Sequence, residues 1–106
     1  MEKIIPYGKH YIDEKDIKAV ENVLRFKNLT QGEEVLLFEE AISNYVGSKY
    51  AVAFSSWTAG LHAACAVIGI SKNDSVITSP ITFVATSNSV IYCGGNPVFS
   101  DINKDS

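Results

Sequence analysis

Hydrophobic and polar positions follow a helical period through the first half of the chain and a mixed one after it. From Asp13 onward, Ile17, Val20, Val23 and Leu24 fall on one face, which predicts an amphipathic helix. Asp13 suits its N-cap, Glu14 and Asp16 suit the positive end of its dipole, and Arg25 and Lys27 suit the opposite end. Asn28-Leu29-Thr30-Gln31-Gly32 then breaks the period with turn formers and predicts a loop. A second helix is written in Val35, Phe38, Ala41, Ile42, Tyr45 and Val46, with Glu33 and Glu34 in its first turn and Gly47 as a left-handed stop. Residues 1–12, with Pro6 and Gly8 and no steady period, predict an ordered arm.

From Tyr50 the pattern changes to short strands alternating with helices. Tyr50–Phe54 is an apolar run of strand length, Ser55–Thr58 a polar turn, and Leu61, Ala64, Cys65 and Ile68 one face of a helix that ends at Gly69. Ser75–Thr78 predicts a second strand, Phe83–Tyr92 a helix closed by Gly94-Gly95, and Pro97–Ile102 a third strand. Strands joined through helices pair in parallel by right-handed crossovers, so the fold class is α/β. The organisation is an arm with two helices over residues 1–48, followed over 49–106 by the start of an α/β domain. Three strands are few for a parallel sheet, which is normally covered on both faces, so the chain reads as an N-terminal part of something larger.

The composition narrows the partners. Among 106 residues, nine Lys plus Arg stand against twelve Asp plus Glu, a net charge of −3. That balance offers no basic field for a phosphate backbone and argues against nucleic acid. The longest mostly apolar stretch, Ala59–Ile70, contains His62 and is too short to span a bilayer, and Pro6 and Gly8 interrupt any signal core, so the expectation is a cytoplasmic chain without membrane attachment. Cys65 and Cys93 have no metal-ligand spacing and read as two buried thiols.

Two turns can carry chemistry. At Ser55-Ser56-Trp57-Thr58-Ala59-Gly60 a helix begins, and its free backbone N–H groups and nearby hydroxyls suit a phosphate; a serine that merely caps the helix fits the same residues. Neither a dinucleotide-binding fingerprint nor a P-loop is present. The second turn, Thr78–Ala85, also follows a strand, where ligands of open α/β sheets bind, so the two turns can face one pocket. Phe83 there can offer a ring face to a planar cofactor or simply pack in the core. His62 has no partner at ligand spacing and reads as a packed or hydrogen-bonded histidine. Glu33-Glu34 and Glu39-Glu40 read as a solvated helix face. No nucleophile and base pair stands out.

Taken together these pieces resemble the DegT/DnrJ/EryC1/StrS sugar aminotransferases, pyridoxal phosphate enzymes of the aspartate aminotransferase fold. The resemblance runs the length of the chain: Pro6-Tyr7-Gly8 with Ile12-Asp13; Leu29-Thr30-Gln31-Gly32; Phe38-Glu39 with Tyr45-Val46-Gly47; Ala51-Val52-Ala53 into Ser55-Ser56; Thr58-Ala59 with Leu61-His62; Ile81–Thr86 with Asn88; and Gly95, Pro97-Val98-Phe99 and Asp101-Ile102. Pro6-Tyr7-Gly8-Lys9 and Pro80–Phe83 look most like the pseudaminic acid branch. Its members aminate C4 of a UDP-linked 4-keto-6-deoxy-N-acetylhexosamine with glutamate as donor.

The resemblance implies roles by position. Thr58 and Ala59 would hold the phosphate of pyridoxal 5'-phosphate and Phe83 would stack on its ring. Tyr7, Lys27, Asn28, Leu29, Thr30 and Ser56 would serve the nucleotide-sugar side. Where the family commonly has Gly, this chain has Trp57, a bulky residue in the phosphate turn. The family's Schiff-base lysine lies beyond the position of Ser106, so no catalytic residue is expected within the chain, and the chain alone is expected to be inactive. A homodimer is implied for the whole enzyme. The alternatives are a non-catalytic remnant or subunit-associating module, and a sibling aminotransferase or dehydratase acting on another sugar nucleotide.

Overall fold

The computed structural model describes residues 8–103, in the order α1 (Glu14–Phe26), α2 (Glu33–Val46), α3 (Trp57–Val67), β1 (Ser75–Thr78), α4 (Ala85–Tyr92) and β2 (Asn96–Phe99). The chain divides between Ala51 and Val52 into two compact units. Among the described residues no helix is long and apolar enough to cross a membrane.

In the first unit, α1 starts where its polar residues dictate. The Asp13 carboxylate accepts from the N–H groups of Lys15 and Asp16, and the Asp16 carboxylate accepts from the Asp13 N–H, which closes a capping box. Arg25 pairs with Glu21 one turn back, at 2.8 Å. Gly47 ends α2 at φ 69°, a left-handed conformation that glycine takes without steric cost. Between the helices Gln31 also has a positive φ, 54°, and a Cβ on Gly32 would collide with the Asn28 carbonyl oxygen. The apolar stripes of both helices are largely solvent-exposed, with Val23 half-buried, and α1 and α2 do not pack against each other.

In the second unit, α4 packs on α3 and on both strands. β1 and β2 pair in parallel, Ser75 opposite Asn96 through Thr78 opposite Phe99. The α/β reading with parallel strands holds, with one difference in strand number. Tyr50–Phe54 does not join the sheet, which has two strands. An apolar run does not itself specify ladder pairing, and β1 pairs with β2. The third expected strand is shorter, ending at Phe99, and α4 begins at Ala85 instead of Phe83.

The core among the described residues centres on α4, where Ala85, Ser87, Ser89 and Val90 are buried. The two serine hydroxyls are satisfied within the helix, Ser87 Oγ donating to the Val84 carbonyl and Ser89 Oγ to that of Thr86. Gly95 lies so close to this core that a Cβ would sit 2.6 Å from Ile70 Cγ2 and 2.9 Å from Val90 Cγ1. Cys65 and Cys93 are free and half-buried; Cys65 Sγ lies 3.6 Å from Ser89 Oγ.

Candidate functional site

In the second unit the chemistry gathers where α3 begins. Ser56 is its N-cap, and Ser56 Oγ accepts from the Ala59 N–H at 3.1 Å. The capping expected of this serine is therefore present. It leaves the Trp57 and Thr58 N–H groups without an intrahelical acceptor, and the Ser56 hydroxyl keeps its own proton to donate. These groups, with the positive end of the α3 dipole, suit an anion.

Phe83 reaches the same place from the loop before α4. Its ring centroid lies 6.3 Å from that of Trp57, tilted by 32°. Both rings are more than half exposed, Trp57 at 59% and Phe83 at 62%, so a face of Phe83 is open to a planar ligand. The loop is fixed by short hydrogen bonds: Ser79 Oγ accepts from the Ile81 N–H, Thr82 and Thr86 hydroxyls meet at 3.1 Å, and the Phe83 carbonyl accepts from the Thr86 N–H. The two turns singled out in the sequence thus come together through Trp57 and Phe83. His62 is apart from this chemistry; it packs edge-on against Tyr92 with centroids 5.3 Å apart.

In the first unit, Lys27, Asn28, Leu29 and Thr30 run from the C-cap of α1 into the loop. A polar cleft of about 270 Å³ is lined by Phe26, Lys27, Asn28, Gln31, Gly32 and Glu33. Lys27 Nζ donates to Glu33 Oε1 and Glu34 Oε1, each at 2.6 Å. The hydrogen bond to Glu33, then that to Glu34, pushes the lysine pKa up to about 12, and the same ammonium lowers the Glu33 carboxyl. Sequence reading placed Glu33 and Glu34 on a solvated face and missed this contact, which joins residues six and seven positions apart across a loop. Tyr7, the remaining substrate-side candidate, lies outside the described residues.

Residues 10–106 match the DegT/DnrJ/EryC1/StrS aminotransferase family. The chain is 41% identical over 103 residues to the UDP-4-amino-4-deoxy-L-arabinose–oxoglutarate aminotransferase of Shewanella sediminis, covering 97% of this chain and 26% of that protein. It is 41% identical over 106 residues to the UDP-4-amino-4,6-dideoxy-N-acetyl-beta-L-altrosamine transaminase of Helicobacter pylori, covering 97% and 28%. The PLP form of Spr1654 from Streptococcus pneumoniae superposes with a TM-score of 0.89 at 29% identity, over 96% of this chain and 26% of that one. The chain therefore spans about a quarter of the length of the curated relatives it matches.

Proposed function

The chain belongs to the DegT/DnrJ/EryC1/StrS aminotransferase family, and from that membership we propose that it forms the N-terminal part of a pyridoxal phosphate-dependent sugar aminotransferase. The reaction we assign is transfer of an amino group from glutamate to C4 of a UDP-linked 4-keto-6-deoxy-N-acetylhexosamine, in the pseudaminic acid branch. The observation that carries the reading is the convergence of Phe83 with the start of α3.

The residues at that convergence fit the cofactor. The Trp57 and Thr58 N–H groups lack intrahelical acceptors and would hold a phosphate at the helix N-terminus, where a dianion is favoured by about 1 kcal/mol. The Ala59 N–H is already held by Ser56 Oγ, so the Trp57 and Thr58 N–H groups would be the ones to hold the phosphate. The exposed ring of Phe83 offers a stacking face for the pyridine ring. When bound, the cofactor supplies the electron sink for amino transfer. This chain's share of the work is to anchor the phosphate, orient the ring and present Asn28, Leu29 and Thr30 to the nucleotide sugar. Two relatives at 41% identity support the substrate class, since both names carry a UDP-linked 4-amino sugar, and one of them names oxoglutarate, the keto acid left when glutamate gives up its amino group.

The test is made on the complete protein. It should aminate a UDP-linked 4-keto sugar in the presence of glutamate, and Phe83→Ala should weaken pyridoxal phosphate binding by about fivefold, a loss of ~1 kcal/mol for an aromatic contact. Failure of the wild-type protein to bind the cofactor or to form an amino sugar would overturn the reading.

A further inference from the structure

The loop between α1 and α2 holds an unusual conformation for its composition. Gln31, which has a side chain, sits at φ 54°, and Gly32 fits against the Asn28 carbonyl only because it has none. Such a turn persists when something outside it fixes its two ends. The ends here are Lys27, the C-cap of α1, and Glu33-Glu34, the first turn of α2, and they are joined by two ion pairs of 2.6 Å. The Lys27 side chain is 26% exposed, much less than its glutamate partners.

We infer that Lys27 is a positioning residue: its ammonium, clipped to Glu33 and Glu34, holds the Asn28–Gln31 turn in the shape that presents Asn28 and Thr30 to ligand, and it does not itself meet the ligand's phosphates. This rests on the nucleotide-sugar reading given above and refines it. An ammonium has three donors, and two of Lys27's are already committed to carboxylates. One positive and two negative charges leave that end of the cleft net negative, the wrong sign for a diphosphate. Both helix dipoles favour the arrangement, since a cation stands at the C-terminal end of α1 and two carboxylates stand at the N-terminal end of α2.

The experiment compares Lys27→Met, Lys27→Arg and the double variant Glu33→Gln/Glu34→Gln in the complete protein, with UDP as the probe for binding and amide hydrogen exchange over residues 28–32 read without any ligand. A clip makes Lys27→Met and the double variant behave alike: each exchanges faster in the turn and binds UDP about threefold to fivefold more weakly, the scale of solvent-accessible ion pairs. Lys27→Arg, which still pairs with both carboxylates, restores both readouts. A phosphate contact predicts opposite signs, because removing the glutamate charges then strengthens UDP binding while Lys27→Met weakens it. That divergence, or unchanged exchange in both variants, overturns the inference. If the wild-type protein does not bind UDP, the substrate reading fails, while the exchange data still decide whether the clip orders the turn.

Discussion

Lys27 and Glu33 give the clip a definite pH range. The lysine pKa rises from 10.5 to about 12, so its contribution is complete below pH 10.5 and is lost as pH climbs through 12. The Glu33 carboxyl is lowered from 4.5, so its contribution is complete above that value and fades as pH falls through the lower folded one. The Lys27–Glu33 pair is therefore closed across the neutral range and weakens at either extreme. A carboxyl-carbon titration of Glu33 should give a midpoint below 4.5 that returns to the ordinary range in Lys27→Met; a wild-type midpoint at or above 4.5 would count against the pairing.

At the scale of elements, Ser56 caps α3, and in the proposed reading it also borders the phosphate, so the two uses can be separated. Ser56→Ala removes the cap on the Ala59 N–H and should cost about 1 kcal/mol, seen as a lower melting temperature of the complete protein. Ser56→Asp keeps an equally good cap but sets a negative charge beside the phosphate, so it should melt like wild type and bind pyridoxal phosphate more weakly. Equal cofactor affinity in Ser56→Asp and wild type would separate α3 from phosphate binding. Features written in local chemistry were legible from the sequence: Asp13 marks the start of α1, Gly47 the end of α2, and the Ser75–Thr78 run, with β-branched Val76, Ile77 and Thr78, is β1. Tyr50–Phe54 misleads because its apolar content says nothing about which strand will pair with it. That the turns bearing Trp57 and Phe83 could meet followed from their places after two expected strands, whereas the reach of Lys27 across its loop has no period at all, since it is a contact made by a turn of the backbone.

For the molecule as a whole, the balance between buried and exposed apolar surface is decisive. Among the described residues the buried hydrophobic ones are Ala85 and Val90, while Val20, Leu24, Phe38 and Val67 are among many large ones left exposed. A large aliphatic side chain gains about 1.5–3 kcal/mol when fully buried, and ordering each residue's backbone costs about 1–2 kcal/mol, so a core this small among the described residues does not offset their ordering. A polypeptide of these residues made alone should self-associate or melt without a cooperative transition; a monodisperse monomer with a sharp calorimetric peak would refute that. The sequence also holds a single tryptophan, Trp57, at the first position of α3 and in contact with the ring of Phe83. Its indole emission thus comes from one known spot, the start of α3, and gives this stretch of chain a built-in optical probe for whatever settles on Phe83.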